Sequence, residues 1–147
     1  MSKSDLKQSR KEEIANTLTH LFALVVSVFG TVLLFGEAIR LRDPYRIAGA
    51  SVFGSCLISL YLASSLYHFC QRPRVRPAIR HLFHVADQVN IFIFIAATYT
   101  PLLLIRLRGS GGWTFLILIW VFALVGSLIK IFYTGRYNIV TRDQVHS

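Results

Sequence analysis

Long uncharged apolar runs alternate with short polar segments along the chain. Four runs carry no Asp, Glu, Lys or Arg, and they cover residues 14–36, 47–71, 88–105 and 109–129. A helix that crosses the hydrocarbon of a bilayer needs about 20 apolar residues, and about 17 to 25 are tolerated. The pattern predicts an all-α fold, a polytopic bundle of four transmembrane helices. The predicted helices cover residues 17–39, 47–70, 79–106 and 113–133.

Polar segments divide the chain into three parts. These are a leader at residues 1–16, a membrane domain at residues 17–134 and a tail at residues 135–147. Pro73 and Pro77 stand among arginines, so they predict an exposed loop that ends the second helix. The Asp43-Pro44 pair and the glycine-rich residues 109–112 predict the other two turns. The first apolar run is too long for a signal peptide, and we expect it to stay in the protein.

Composition argues against an ordinary soluble domain. The chain is 54% apolar and has only seven acidic residues, and its mean hydropathy is +0.53. Buried helices of a large soluble enzyme are the alternative, but four such helices in succession leave almost no amphipathic helix to face water. We therefore expect the lipid bilayer to be the main partner of this chain.

The basic residues are distributed unevenly, and the formal net charge is +9. Eleven of the sixteen Lys and Arg lie in or beside the leader, the loop between the second and third helices, and the tail. The other five flank the two remaining turns. The positive-inside rule then predicts that both termini lie in the cytoplasm, where anionic lipid headgroups would be further partners. No motif indicates binding to nucleic acid.

Three polar residues stand at the ends of apolar runs, where a membrane helix must bury or half-bury them. Ser64 and His68 are four residues apart and share one helical face, and Asp87 follows the basic loop. Placing such groups in a membrane is costly, so they form a functional-site hypothesis. Glu13 and His20 lie on a polar stripe of the first helix that the topology brings to the same membrane face. A set of carboxylates, hydroxyl and imidazoles from three helices could bind a metal.

A simpler interpretation exists for each of these residues. Polar side chains near helix ends extend to the headgroups, and for His20, His81 and His84 we favour that explanation. For Ser64 and His68 the two interpretations have similar weight, because a serine can also bond to a carbonyl of its own helix.

Small residues indicate where helices approach each other closely. Gly30 and Gly36 lie in the first apolar run, and Ala50 and Gly54 lie in the second. Small residues let the backbones of membrane helices come together. The sequence therefore predicts helix contacts at all four positions.

Three sequence strings together resemble the hemolysin III family. They are Glu13-x-x-Asn16-x-x-x-His20, Ser64-Ser65-Leu66-Tyr67-His68, and Asp87 followed further on by Ala97-Thr98-Tyr99-Thr100-Pro101. That family is grouped with the progestin and adipoQ receptors among membrane hydrolases. The resemblance implies an integral protein of the bacterial inner membrane. It also implies seven helices in a complete chain and a zinc ion near the cytoplasmic face.

The resemblance also implies roles for the three polar residues. His68 would be a zinc ligand, while Asp87 would hold a water on the metal and Ser64 would line the site, so that these two are the candidate catalytic residues. The family pattern completes the site with a His-x-x-x-His pair on the last helix, and this sequence has none. We therefore expect an incomplete zinc site in the N-terminal four-helix portion of such a protein. Substitution by His20 or His84, or completion by a second copy in a homo-oligomer, stays open.

Three functions follow from these expectations. The first is a zinc-dependent hydrolase that acts on lipid amides, with its metal site incomplete in this chain. The second is membrane permeabilisation, as the family name indicates. The third is a small dimeric four-helix transporter, which we favour least because Glu13 and Glu37 lie at opposite ends of the first helix and not near its middle.

Overall fold

The computed structural model describes residues 10–71 and 75–143, with the side chains of residues 12–71 and 75–134. It contains four helices, α1 (Arg10–Arg40), α2 (Pro44–Cys70), α3 (Pro77–Arg106) and α4 (Ser110–Asp143), and the described residues form no strand. Each helix includes an apolar stretch of 25 to 30 residues that is long enough to cross a membrane. The predicted four-helix membrane bundle is confirmed.

The helices pack in a single row. Helix α1 lies against α2, α2 against α3, and α3 against α4, and the described residues show no other helix pairing. The outer faces of α1 and α4 therefore carry exposed apolar side chains such as Phe22, Phe29, Phe122 and Phe132, which suit contact with lipid. We call the end of the row that carries Glu13 the polar end. The end with the turns before α2 and before α4 is the opposite end.

The outer helices are longer than their apolar runs. Helix α1 begins at Arg10, inside the segment predicted as leader, and α4 continues to Asp143, inside the predicted tail. Acidic residues in the first turn of α1, Glu12 and Glu13, favour this early start because they complement the helix dipole. Hydropathy marks where apolar sequence ends, and a helix continues past that point when no proline interrupts it. Residues 1–9 and 144–147 lie outside the described residues.

The inner helices begin with prolines. Pro44 occupies the first turn of α2, and the carboxylate of Asp43 caps this helix by accepting the N–H of Tyr45 at 3.0 Å. Pro77 opens α3 in the same way. Both helices start two or three residues earlier than predicted, because proline fits the start of a helix as well as a loop.

The glycine-rich segment before α4 is only partly a turn. Gly109 has a φ of +146°, which favours glycine, but Ser110 already begins α4. A Cβ on Gly112 would overlap the carbonyl oxygen of Leu107. The last two glycines therefore belong to the first turn of α4, where the chain passes close to the end of α3.

Small side chains fill the contacts between helices. The buried residues of the row are mostly alanine, serine and threonine, including Ala38, Ala50, Ala63, Ala96, Ala97, Thr100, Ala123 and Ser127. In a bilayer, helices associate through close packing and polar contacts, because lipid tails are as apolar as the side chains they would replace. The burial pattern shows that packing of this kind holds the row together.

One glycine lies in each contact between neighbouring helices. A Cβ on Gly54 would overlap the methyl group of Thr31 in α1. A Cβ on Gly49 would lie 2.9 Å from Pro101 in α3, and one on Gly126 would lie 2.8 Å from the ring of Phe92. Ala50 is also buried.

The prediction of helix contacts was wrong for Gly30 and Gly36. Apart from the adjoining residues and the nearby backbone of α1 itself, no described atom lies within 4 Å of a Cβ built at either position. Both glycines therefore point away from α2, and they show that a small residue alone does not identify the packed face of a helix.

An ionic contact joins the two turns at the opposite end. Arg108, just before α4, donates to the carboxylate of Asp43, and Arg46 lies 3.4 Å from the same carboxylate. The Arg108 guanidinium also lies over the ring of Tyr45, 4.8 Å from its centroid. Partial burial acts to raise the pKa of Asp43, but the hydrogen bonds from Arg108 and from Tyr45 N–H outweigh it and hold this pKa below its usual value.

We predict that Gly54→Ala destabilises the bundle, because the new methyl group forces α1 and α2 apart. Overpacking of this kind costs about 1–3 kcal/mol. The matched control is Gly36→Ala, which adds the same methyl group where space is open and raises helix propensity. Thermal unfolding of the detergent-solubilised protein measures both variants. Equal shifts of the midpoint would contradict the close contact at Gly54.

We predict that Asp43→Asn destabilises the protein at neutral pH and has a smaller effect in acid. Asparagine caps a helix as well as aspartate, so the substitution isolates the charge. Because the pKa of Asp43 is lowered in the folded state, its charge stabilises above the unfolded value of about 3.9, and this contribution is lost as the pH falls through the folded value.

Unfolding midpoints of both proteins across this pH range test the prediction. The difference between wild type and Asp43→Asn narrows below about pH 4 if the charge is responsible. A difference that stays constant from neutral to acid pH shows that the charge of Asp43 contributes nothing.

Candidate functional site

The polar stripe of α1 faces α2. Glu13, Asn16 and His20 follow each other at spacings of three and four, so they lie along one side of the helix. All three are half-buried, whereas most of their neighbours on the other faces of α1 are exposed. This stripe therefore belongs to the α1–α2 contact.

The last two turns of α2 supply the residues opposite this stripe. Ser64 and Ser65 are buried, and Tyr67 and His68 are half-buried, shortly before α2 ends at Cys70. On the other side of α2, the first turns of α3 place His84 and Asp87 at the same end of the row. Three helices thus bring polar side chains together at the polar end, as the sequence predicts for Ser64, His68 and Asp87.

A hydrogen bond between Glu13 and His68 connects α1 to α2. The Oε2 atom of Glu13 lies 3.1 Å from the Nδ1 atom of His68. The His68 side chain is 15% exposed and that of Glu13 is 21% exposed. A bond from imidazole to a carboxylate is charge-assisted and stronger than a neutral one, and partial burial protects it from competing water.

Aromatic rings extend this contact across all three helices. The ring of His20 lies 5.2 Å from that of His68 and 6.1 Å from that of Tyr61, between centroids. The ring of Tyr67 lies 5.1 Å from His68 and 5.1 Å from His84. We call His20, His68, Tyr67 and His84 the ring cluster. It runs from α1 through α2 to α3.

Charged residues surround the ring cluster. Asp87 is half-buried and close enough for its charge to act on His20, Tyr67 and His84. Lys130 of α4 is close enough to act on His84. Among the described residues, no hydrogen bond joins Ser64, His68 and Asp87 directly to one another. The three predicted residues share one end of the row, where Tyr67 lies in ring contact with both His68 and His84.

Several polar atoms of this region are buried without a hydrogen-bond partner in the described part of the chain. They include Nδ1 of His20, Nδ1 of His84 and Oγ of Ser65. Buried polar atoms normally have partners, so such atoms call for an explanation such as a bound water or ion. The packed rings of His20 and His84 also disagree with the interpretation that these side chains simply extend to headgroups.

The described residues do not group a full set of metal ligands at the polar end. They contain no group of three His, Cys, Asp or Glu side chains arranged to hold a metal ion. His68 has the chemistry of a single ligand, because its Nδ1 is bonded to a carboxylate and a histidine held in this way can bind a metal through its other ring nitrogen. The residues therefore fit one zinc ligand and its supporting carboxylate.

Sequence reasoning missed two members of this region. Glu13 was placed on the polar stripe but not paired with His68, and Tyr67 was not identified as a site residue. The spacing of the stripe indicates that Glu13 faces the same helix as His20. The pairing itself depends on how far α1 is shifted along α2, which the spacing does not specify.

Comparison with known proteins identifies the family. The family profile described as "Haemolysin-III related" matches residues 8–142. The chain belongs to the hemolysin III family. No solved structure matches this hemolysin III protein.

Curated relatives include bacterial and animal proteins. Hemolysin-3 of Bacillus cereus is 38% identical over 132 residues, which are 90% of this chain and 58% of that protein. The Hemolysin-3 homolog of Bacillus subtilis (strain 168) is 34% identical over 131 residues, 89% of this chain and 60% of that protein. Monocyte to macrophage differentiation factor of Homo sapiens is 31% identical over 132 residues, 88% of this chain and 53% of that protein. The chain thus matches little more than half the length of these relatives.

Proposed function

We propose that this hemolysin III protein uses its polar end as part of a zinc-dependent hydrolase site that acts on lipid amides. The observation that carries the proposal is the contact of His68 with a carboxylate in a half-buried region formed by three membrane helices. A histidine bonded to a carboxylate through one nitrogen is the usual arrangement of a zinc-binding histidine. The family membership supports the same chemistry.

Each residue of the polar end has a place in this proposal. Zinc, when bound, supplies a Lewis acid that polarises the amide carbonyl. His68 would hold the ion through Nε2. Asp87 would orient a water molecule toward the carbonyl and accept a proton from that water. The hydroxyl of Ser64 would line the site.

The remaining zinc ligands are not grouped in the described residues. His20 and His84 are one source in this chain, because the Nδ1 atoms of both are buried without a described partner. A second copy of the chain is another source. Of the described residues, His68 suits the role of a zinc ligand and Glu13 that of its supporting carboxylate. The other zinc ligands are part of the proposal.

We also propose that the polar end faces the cytoplasm of a bacterial inner membrane, with both termini on that side. The excess of Lys and Arg beside this end supports the orientation. A lipid substrate could then enter from the inner leaflet, where anionic headgroups interact with the same basic residues. A topology reporter fused to either terminus checks the orientation.

Membrane permeabilisation is the second candidate function. It is favoured by one observation, the name Hemolysin-3 of the Bacillus cereus relative. Release of dye from liposomes by the purified chain, independent of its zinc content, would favour permeabilisation over hydrolysis.

We predict that the purified chain contains zinc and that His68→Ala removes it. Loss of a ligand should lower the zinc content at least about tenfold, since even residues that only support a ligand change metal affinity by 10–100-fold. His146→Ala is the matched control, because it also removes one histidine but not one that the proposal places at the polar end. Elemental analysis of protein purified without added metal is the measurement. A wild-type chain without zinc, or equal zinc in both variants, would contradict the proposal.

A further inference from the structure

We propose that Glu13 is a positioning residue for His68, which rests on the zinc site of the proposed function. The carboxylate of Glu13 accepts the Nδ1–H of the imidazole and so leaves the Nε2 lone pair free to bind a metal. No catalytic step is assigned to Glu13 itself. Its role is to select the tautomer and orientation of the ligand.

With Glu13 ionised, the chemistry of the two groups fixes the direction of this hydrogen bond. An ionised carboxylate can only accept, so the proton between Glu13 Oε2 and His68 Nδ1 belongs to the imidazole. In a neutral imidazole one nitrogen carries the proton and the other has a lone pair. The contact therefore assigns the lone pair of neutral His68 to Nε2, the atom that a metal would contact.

The surroundings of the pair hold this geometry in place. Glu13 lies in the first turns of α1 and His68 in the last turn of α2, so both are attached to packed helices. The ring of His20 covers His68 from α1 at 5.2 Å, and that of Tyr67 lies 5.1 Å from it on α2. From α3, the charge of Asp87 acts on His20 and Tyr67. Rotation of the imidazole would break the bond to Glu13 and disturb both ring contacts.

The alternative is that Glu13 only stabilises the contact between α1 and α2. A contact of that kind contributes to stability but does not require a particular tautomer of His68. The two roles therefore differ in what happens at Nε2 when Glu13 is replaced. A measurement of stability does not distinguish the two roles, whereas the position of the proton on the His68 imidazole does.

The test measures the His68 tautomer directly. The full chain is labelled with ¹⁵N-histidine, solubilised in detergent and freed of metal with a chelator, and long-range ¹H–¹⁵N spectra are recorded under conditions where the imidazole is neutral. We expect the wild-type protein to carry the proton on Nδ1. Glu13→Ala should give a mixture of tautomers, whereas Glu13→Gln, whose amide oxygen still accepts a hydrogen bond, should retain the wild-type signal.

Glu37→Ala is the matched control. It removes an acidic residue from the same helix at the opposite end of the row, where Glu37 pairs with Arg40 at 2.5 Å. This variant should leave the His68 signal unchanged. If Glu13→Ala proves too unstable to measure, Glu13→Lys is used instead. Lysine also removes the acceptor, because its side chain can only donate hydrogen bonds. A wild-type His68 protonated on Nε2, or a His68 signal that neither Glu13→Ala nor Glu13→Lys alters, would overturn the inference.

Zinc binding separates this inference from the proposed function. We expect Glu13→Ala to weaken zinc affinity about 10–100-fold, and Glu13→Gln to weaken it less. If the wild-type chain holds no zinc but shows the expected tautomers, the positioning by Glu13 stands and the proposed function fails. If the chain holds zinc but Glu13→Ala changes neither the tautomer nor the affinity, the zinc site stands and the role of Glu13 fails.

Discussion

The close approach of α1 to α2 is the constraint on which the polar end depends. Three contacts follow each other along this antiparallel interface: Thr31 against Gly54, His20 against Tyr61, and Glu13 against His68. The first contact admits no side chain larger than hydrogen at residue 54. Because both helices are rigid, the separation set there determines whether the carboxylate of Glu13 reaches the imidazole of His68 at the end of the interface.

The bilayer explains why polar groups cluster at this end. Burying an ionisable side chain in a membrane is costly, and the cost falls when the group pairs with another one inside the protein. Glu13 and His68 pair with each other. Asp87 of α3 and Lys130 of α4 interact electrostatically with the ring cluster. The packed row and the candidate site therefore have a common origin, since close helices create the partners that make the polar residues tolerable.

Much of the fold could be predicted from the sequence, because a membrane helix is specified by an uncharged apolar run of sufficient length. The ends of α1 and α4 could not, since a helix continues beyond the bilayer wherever its sequence permits. Glycine spacing also failed in part: Gly54 lies at a helix contact but Gly30 and Gly36 do not. Without a strong amphipathic pattern, the face of a lipid-exposed helix that packs is decided by its neighbour.

The candidate site also has features that the sequence predicts and features that it does not. That Ser64, His68 and Asp87 lie at one end of the row follows from antiparallel helices alone. The bond of His68 to Glu13, and the position of Tyr67 between two histidines, depend on the shift and rotation of each helix against the next. The curated relatives in the family are considerably longer than the matched region.

A double-mutant cycle on Glu13 and His68 tests most directly whether these two residues interact. The free energy of unfolding is measured in detergent for the wild-type chain, Glu13→Ala, His68→Ala and the double variant. Residues that share a hydrogen bond show a coupling energy of about 0.5–3 kcal/mol, and we predict a value in this range. Single effects that add to within about 0.3–0.5 kcal/mol would show that the two side chains are independent, which would contradict the arrangement of the polar end.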